Sequence, residues 1–133
     1  MSFSLDIEID SSVSKAVVID ILRDMSFILS EESVDDLRGN FPESNMYAVI
    51  RWISQENDMV PRTEGADFAK DWKIGVRASF KYVISRYDQS SKEMHRFLAL
   101  LCERSSAFFV LSFEMETIFA VRDEAGLRVV DRF

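Results

Sequence analysis

The sequence predicts an α+β protein with an antiparallel sheet of about six to seven strands and two main helices packed on one face of that sheet. Segments that alternate apolar and polar residues predict strands, and two segments with apolar residues at helical spacing predict the helices. Four Gly and two Pro in 133 residues argue against a loop-dominated scaffold. A chain of this length is expected to form one domain over residues 1–133.

Seven segments have the length and composition of strands. The alternation is strict in the first segment, whereas the third is apolar on both sides except at Arg51. The last two segments flank a short connection in which Gly126 is suited to a positive φ, so we expect a hairpin there. The predicted strands span residues 3–9, 27–29, 46–53, 74–84, 107–115, 117–122 and 127–130.

Two helices are predicted, at about 12–25 and 90–104. The first follows the N-cap residues Ser11 and Ser12. The second begins with Ser90 and Glu93, which have the spacing of a capping box. The same order of strand, helix, strand and strand then occurs in both halves, which predicts either two pseudo-repeated β-α-β-β units or a chance succession of similar elements.

Opposite charges on two predicted strands predict how the strands pair. The outer face of the first strand is acidic, and the outer face of the fourth is basic. Opposite charges on neighbouring strands are favourable, so we predict that these two strands are adjacent in the sheet. The alternative is that each face is separately solvated. The charged positions are Asp6, Glu8 and Asp10 on the first strand and Lys73, Arg77 and Lys81 on or beside the fourth.

The negative charge is concentrated in the first half of the chain. Residues 1–60 contain twelve Asp/Glu and four Lys/Arg, whereas residues 61–133 contain eleven and twelve. Such a field attracts a basic partner and repels nucleic acid and anionic membranes. We therefore expect no direct contact with nucleic acid and none with a membrane. The unpaired Cys102, and an N-terminus without the features of a signal peptide, predict a cytoplasmic protein.

No pattern in the sequence indicates catalysis. One histidine, His95, and one cysteine, Cys102, do not make a zinc site. The chain has no G-x-S-x-G motif, and its glycines are too scattered to form a phosphate-binding loop. We predict that the protein is not an enzyme and uses no cofactor or metal.

Two polar segments, 31–44 and 55–71, contain most of the acidic residues between the predicted strands, and each is interrupted by a Gly and a Pro. If both emerge at one edge of the sheet, they form an acidic rim with Trp52 as an aromatic anchor, which suits a basic protein partner. The alternatives are two ordinary solvated loops and a Trp52 side chain that packs in the core. The predicted partner-binding residues are Glu31, Glu32, Asp35, Asp36, Glu43, Trp52, Glu56, Asp58, Glu64 and Asp67.

In size, acidity, α+β character and lack of catalytic residues, the chain resembles the small acidic immunity proteins of bacterial toxin–immunity pairs. The resemblance is greatest to those of contact-dependent growth inhibition systems, and it is one of overall character without a shared short motif. It implies a non-catalytic cytoplasmic protein that binds its cognate toxin domain, often a basic nuclease, and blocks or distorts the active site.

Two other functions agree with the same residues. The repeated element order is similar to the paired β-α-β-β-β modules of vicinal-oxygen-chelate and bleomycin-resistance proteins. That class often takes His and Glu ligands from both halves, and a single His95 departs from this pattern. The similarity therefore implies small-molecule binding without a metal. A homodimeric adaptor domain that uses an exposed strand is the third function.

Overall fold

The computed structural model describes residues 2–133, which form a single eight-stranded sheet and two α-helices. Every pair of neighbouring strands is antiparallel, so the predicted fold class is confirmed. The elements are β1 (Ser2–Asp10), α1 (Lys15–Asp24), β2 (Ile28–Glu32), β3 (Asp36–Asn40), β4 (Tyr47–Trp52), β5 (Ile74–Val83), α2 (Tyr87–Arg104), β6 (Phe109–Phe113), β7 (Thr117–Asp123) and β8 (Gly126–Val129).

The order of the strands confirms the pairing predicted from charge. Across the sheet the order is β2-β3-β4-β5-β1-β6-β7-β8, with β5 and β1 as central neighbours. Glu8 of β1 lies opposite Arg77 of β5, so one of the expected opposite-charge pairs is in register. Lys81 lies opposite Ser4 instead of a carboxylate, and Lys73 precedes the strand.

The eighth strand, β3, lies within the segment 31–44 that was predicted to be irregular. Gly39 is the glycine that interrupts this polar segment in the sequence, but it lies inside β3. A Cβ atom at this position would be 2.2 Å from the Ile28 carbonyl oxygen and 2.6 Å from the Phe27 ring. The glycine therefore permits the close approach of neighbouring groups and does not end the strand. Gly126, by contrast, has the predicted positive φ, 94°, after the β7–β8 turn.

The order β-α-β-β-β occurs twice along the chain, but the two halves pack differently. The last strand of the first meander, β4, lies next to β5, whereas the first strand of the second meander, β6, lies next to β1. The first meander therefore runs from the edge to the centre, and the second runs from the centre to the edge. The repeat is one of element order, without a strand-for-strand twofold relation.

Both helices pack on one face of the sheet, as predicted. Their apolar residues join those of the central strands in one core that includes Ile7, Ile21 and Phe80. Phe97 of α2 packs on Phe80 of β5, with ring centroids 5.5 Å apart. Burying this apolar face is the principal source of stability, and it leaves the opposite face of the sheet to polar residues.

The predicted starts of the helices differ from the observed ones. Helix α1 begins after Ser14, whose Oγ accepts a hydrogen bond from the Val17 amide at 3.2 Å. Helix α2 begins at Tyr87, so Ser90 lies inside the helix and is buried, and the predicted capping box is wrong. Glu93 instead accepts hydrogen bonds from the backbone amides of the turn between β3 and β4. Neither helix of the described chain is long and apolar enough to cross a membrane.

Candidate functional site

The hairpin formed by β2 and β3, residues 28–40, has an exposed acidic strand at the edge of the sheet; we call it the acidic hairpin. All five residues of β2, an edge strand, are exposed. They include two apolar side chains, Ile28 and Leu29, which are 59% and 51% exposed. Val34 at the tip of the hairpin is 85% exposed. Apolar residues beside carboxylates are typical of a protein-binding surface.

Three carboxylates of the acidic hairpin are available to a partner. Glu31, Glu32 and Asp35 are exposed and form no ion pair with any residue in 2–133. Asp36 differs, because Arg38 donates a hydrogen bond to it at 3.1 Å and Ser33 donates another at 3.0 Å. These bonds lower the pKa of Asp36. The available charge of the hairpin therefore lies on β2 and at the tip.

An apolar pocket lies between helix α1 and the acidic hairpin. Its volume is about 170 Å³, and it is partly open to solvent. Leu29 and Glu32 lie on the face of the hairpin that borders this pocket, so an apolar surface adjoins a free carboxylate. A partner side chain with an apolar stem and a cationic end would suit this combination. The pocket is lined by Ile19, Leu22, Arg23, Phe27, Leu29, Glu32 and Leu37.

The two polar segments meet at a groove beside β3 and β4. An open groove of about 430 Å³ brings Asp35 and Asp36 of the first segment together with Asp58 of the second. Arg38 and Arg51 line the same groove, so its charge is mixed. Glu56 lies beside it, exposed in the 3-10 turn Glu56–Asp58.

The predicted aromatic anchor, Trp52, is half-buried and packs against the core. The ammonium group of Lys15 lies 5.3 Å from the centre of its ring. The indole nitrogen is buried, and no acceptor for it is found in the part of the chain that the structure describes. Only part of Trp52 therefore reaches the groove.

The two polar segments do not emerge together at one edge of the sheet, so the condition for a single acidic rim is not met in residues 2–133. Glu43 is exposed in the turn that follows β3, whereas Asp35 precedes that strand. The two carboxylates therefore lie at opposite ends of β3. The backbone amide of Glu64 donates to the Met115 carbonyl oxygen, beside the β6–β7 turn. Asp67 lies in a separate 3-10 turn, close in sequence to Trp72, whose ring contacts Phe108. The acidic residues disperse because the second segment crosses the polar face of the sheet instead of standing at one edge.

Glu8 holds the second polar segment on the sheet. The sequence predicts an exposed side chain, but Glu8 is completely buried. Its carboxylate accepts hydrogen bonds from the backbone amides of Arg62 and Thr63 at 2.9–3.0 Å and from the Thr63 hydroxyl at 2.5 Å. The guanidinium of Arg77 forms an ion pair with the same carboxylate, at an N–O distance of 2.8 Å. The alternating pattern identified the face on which Glu8 lies, but not the loop that covers that face.

Arg77 and Asp6 extend this buried polar layer. The guanidinium of Arg77 also donates to the backbone carbonyl oxygens of Asp58 and Val60. Asp6 is 7% exposed and accepts hydrogen bonds from the hydroxyls of Ser79 and Ser4 at 2.5 and 3.1 Å. Burial raises the pKa of Asp6, and the two hydroxyl groups oppose this effect. Each charged group of this buried polar layer therefore has hydrogen-bond or ion-pair partners that account for its burial.

The residue types most often used in catalysis are not assembled into a site. His95 is exposed and stacks on Phe133, with ring centroids 4.0 Å apart. Burial raises the pKa of the Cys102 thiol, which disfavours its reactive thiolate form. Within residues 2–133, no group of three or more His, Cys, Asp or Glu side chains is arranged to hold a metal ion.

Comparisons of this chain with protein-family models, with curated proteins and with solved structures found no match.

Proposed function

We propose that this protein is a non-catalytic immunity protein that acts in the cytoplasm, where it binds and neutralises a cognate basic toxin domain such as a nuclease. The acidic hairpin is the proposed contact surface. The observation that supports it is the presence of three free carboxylates, Glu31, Glu32 and Asp35, beside three exposed apolar side chains. This combination supplies both charge complementarity and apolar contact area.

The two kinds of residue have different roles in this proposal. The carboxylates attract a cationic surface over long distance and raise the association rate, an effect that salt screens. The apolar side chains Ile28, Leu29 and Val34 lose contact with water in the complex and slow its dissociation. Affinity therefore depends on both groups, whereas the salt dependence of the association rate depends mainly on the carboxylates.

Side chains, not strand pairing, form the proposed contact. Strand β2 is short, has an irregular register between Leu29 and Glu31, and carries two carboxylates. Such features oppose the addition of another strand at a sheet edge. We therefore expect the toxin domain to dock across the faces of the hairpin, with one of its side chains entering the pocket beside α1.

A test needs a candidate toxin domain, for example a basic C-terminal domain of a secreted protein whose gene lies next to that of this chain. Binding of this domain is measured by stopped-flow fluorescence at about 20 and 200 mM salt. We expect the triple variant E31K/E32K/D35K to lower the low-salt association rate by about tenfold or more. The matched control is E43K/E64K/D67K, which has the same change in net charge at acidic positions away from the hairpin, and we expect a much smaller effect.

Co-expression provides the functional readout. Cells that produce the toxin domain should survive with the native chain or the control variant and should stop growing with the hairpin variant. Absence of a complex between the toxin domain and the native chain would contradict the proposed function. An equal loss of association rate in both triple variants would retain a general electrostatic attraction but refute the hairpin as the contact surface.

A homodimeric adaptor is a second candidate, because the other edge of the sheet is also apolar. Leu127, Val129 and Val130, on or next to β8, are 44%, 56% and 63% exposed. A second copy of the chain could cover them through a symmetric contact. Light scattering on the purified protein distinguishes the two candidates: a concentration-dependent dimer that Val129→Asp dissociates favours the adaptor, and a monomer at all concentrations contradicts it.

A further inference from the structure

The polar face of the sheet contains a basic groove, although the protein as a whole has a formal net charge of −7. The groove has a volume of about 230 Å³ and is open on one side. Four of its seven lining residues are cationic, and two others, Val49 and Met115, are apolar. It is lined by Val49, Arg51, Arg62, Arg77, Ser79, Lys81 and Met115.

We propose that this basic groove binds the phosphate group of a small molecule. Its two central strands place like charges together, because Arg51 of β4 lies directly opposite Arg77 of β5. Like charges opposite each other on neighbouring strands are unfavourable. Glu8 already pairs with Arg77, and Asp36 lies opposite Arg51 on the other side, so an anion would act mainly on the exposed ends of Arg51 and Lys81. Arginine forms well-directed hydrogen bonds to phosphate oxygens.

Two of the cations are available to such an anion. Arg51 and Lys81 are exposed, and neither forms an ion pair with the rest of the described chain, 2–133. Their positions on the same face are separated by the cross-strand pair of Val49 and Ser79. Two long side chains on either side of this pair can both reach a group placed above it.

The other two cations, Arg77 and Arg62, are held in place by partners within the protein. Arg77 is held by Glu8 and by two backbone carbonyl oxygens, so its guanidinium is immobile. Arg62 is bound to Asp58 at 3.2 Å on the rim. Asp6 accepts a hydrogen bond from the lining residue Ser79 and forms no ion pair with Arg51 or Lys81. Lys81 and Arg51 therefore form no ion pair within the described residues, although Asp36 lies opposite Arg51 on the next strand.

The surroundings favour a small ligand over a long polyanion. Asp35, Asp36 and Asp58 line the adjacent groove, which also contains Arg51. A nucleic acid that extended beyond the basic groove would meet these carboxylates and be repelled. A molecule with one phosphate group and a small organic part fits within the volume, and Val49 and Met115 supply apolar contacts for that part.

The test is a titration of the native chain with inorganic phosphate and with AMP, followed by amide NMR at constant ionic strength, with chloride as the reference anion. We expect saturable shifts of the amides at 49–51 and 77–81 with phosphate but not with chloride. Tighter binding of AMP than of phosphate would show that the organic part contributes; equal affinity would show that the phosphate group alone is recognised.

Variants determine whether the free cations are responsible. We expect Arg51→Gln and Lys81→Gln each to weaken binding at least about fivefold, since each removes one charge-assisted interaction. Arg96→Gln and Lys92→Gln on α2 are matched controls, because both remove an exposed cation away from the groove. Absence of saturable shifts with both ligands, or an equal weakening in all four variants, would overturn the proposal.

Discussion

The carboxylates of β1 and those of the acidic hairpin look alike in the sequence and have opposite environments in the fold. Asp6 and Glu8 are buried on the polar face of the sheet, where hydroxyl groups, backbone amides and Arg77 satisfy them. Glu31, Glu32 and Asp35 are exposed and have no ion pair in the described part of the chain. The density of acidic residues along a chain therefore does not show where its accessible negative charge lies.

The two regions should also differ in what their charges contribute to stability. A buried carboxylate that has lost contact with water depends on its partners, and loss of one partner leaves an uncompensated charge in the interior. A surface carboxylate remains solvated with or without a partner. Substitution of the β1 acids should therefore change the free energy of unfolding, and substitution of the hairpin acids should change association with a partner.

Glu8→Ala should have the largest effect. It removes the acceptor of four neighbouring groups and leaves Arg77 buried without its partner, which is expected to lower the free energy of unfolding by about 3–5 kcal/mol. Urea denaturation measures this value. Glu31→Ala is the matched control, and its expected change is within about 0.5 kcal/mol.

Replacement of the whole pair sharpens this result. Glu8→Leu combined with Arg77→Met should be less destabilising than Glu8→Ala, because no unpaired charge remains in the interior. Equal losses for Glu8→Ala and Glu31→Ala would refute the contrast between the two regions.

Glu93→Gln should have an intermediate effect. Glu93 is a third buried carboxylate, and it accepts hydrogen bonds from the amides of Glu43 and Ser44 at 3.3 and 3.0 Å. Loss of the charge weakens both bonds and should lower the free energy of unfolding by about 1–2 kcal/mol. Hydrogen exchange of these two amides should increase as well. Glu103→Gln, an exposed position on the same helix, is the control; a similar change there would contradict a specific role for Glu93.

Asp6→Asn should have the smallest effect, and its sign should depend on pH. Because the pKa of Asp6 is raised in the folded state, its contribution to stability is fully present below the unfolded value of 3.8 and is lost as the pH rises through the folded pKa. Asn does not ionise, so the variant should gain stability relative to the native chain between pH 4 and pH 7.5. Urea denaturation at both pH values tests this prediction.

Asp36→Asn is the matched control for the pH experiment. The pKa of Asp36 is lowered, so its contribution is present above the unfolded value and is lost as the pH falls through the folded pKa. The Asn variant should therefore lose stability relative to the native chain as the pH rises. The same sign of change for both variants would contradict the different environments of the two carboxyl groups.

The parts of the fold that can be predicted from the sequence are strands and helices with one apolar face, because the spacing of their apolar residues shows which element they form. The alternation in 74–84 requires one buried face, and the observed β5 buries Val76, Ala78 and Phe80. The strand β3 was not predicted, because its glycine and charged residues lack an apolar alternation. Its position depends on pairing with β2 and β4.

The candidate site was predicted in part for the same reason. The local composition identified the acidic residues of the hairpin. They are exposed because β2 is an edge strand, and no distant segment within residues 2–133 covers them. The dispersal of Glu43, Glu64 and Asp67 followed from contacts with Arg86, Met115 and neighbouring turns that are remote in the chain. No periodicity in the sequence reports such contacts.

The sequence by itself predicted the α+β class, the two helices and the pairing of β1 with β5. The spacing of apolar residues reveals which face of an element is buried, and the charges on two strands reveal which strands pair. Long-range packing decided which carboxylates are exposed. The segment after β4 covers Glu8 and supplies the amide donors that this buried carboxylate requires, so Glu8 is removed from the surface whereas the carboxylates of β2 stay exposed.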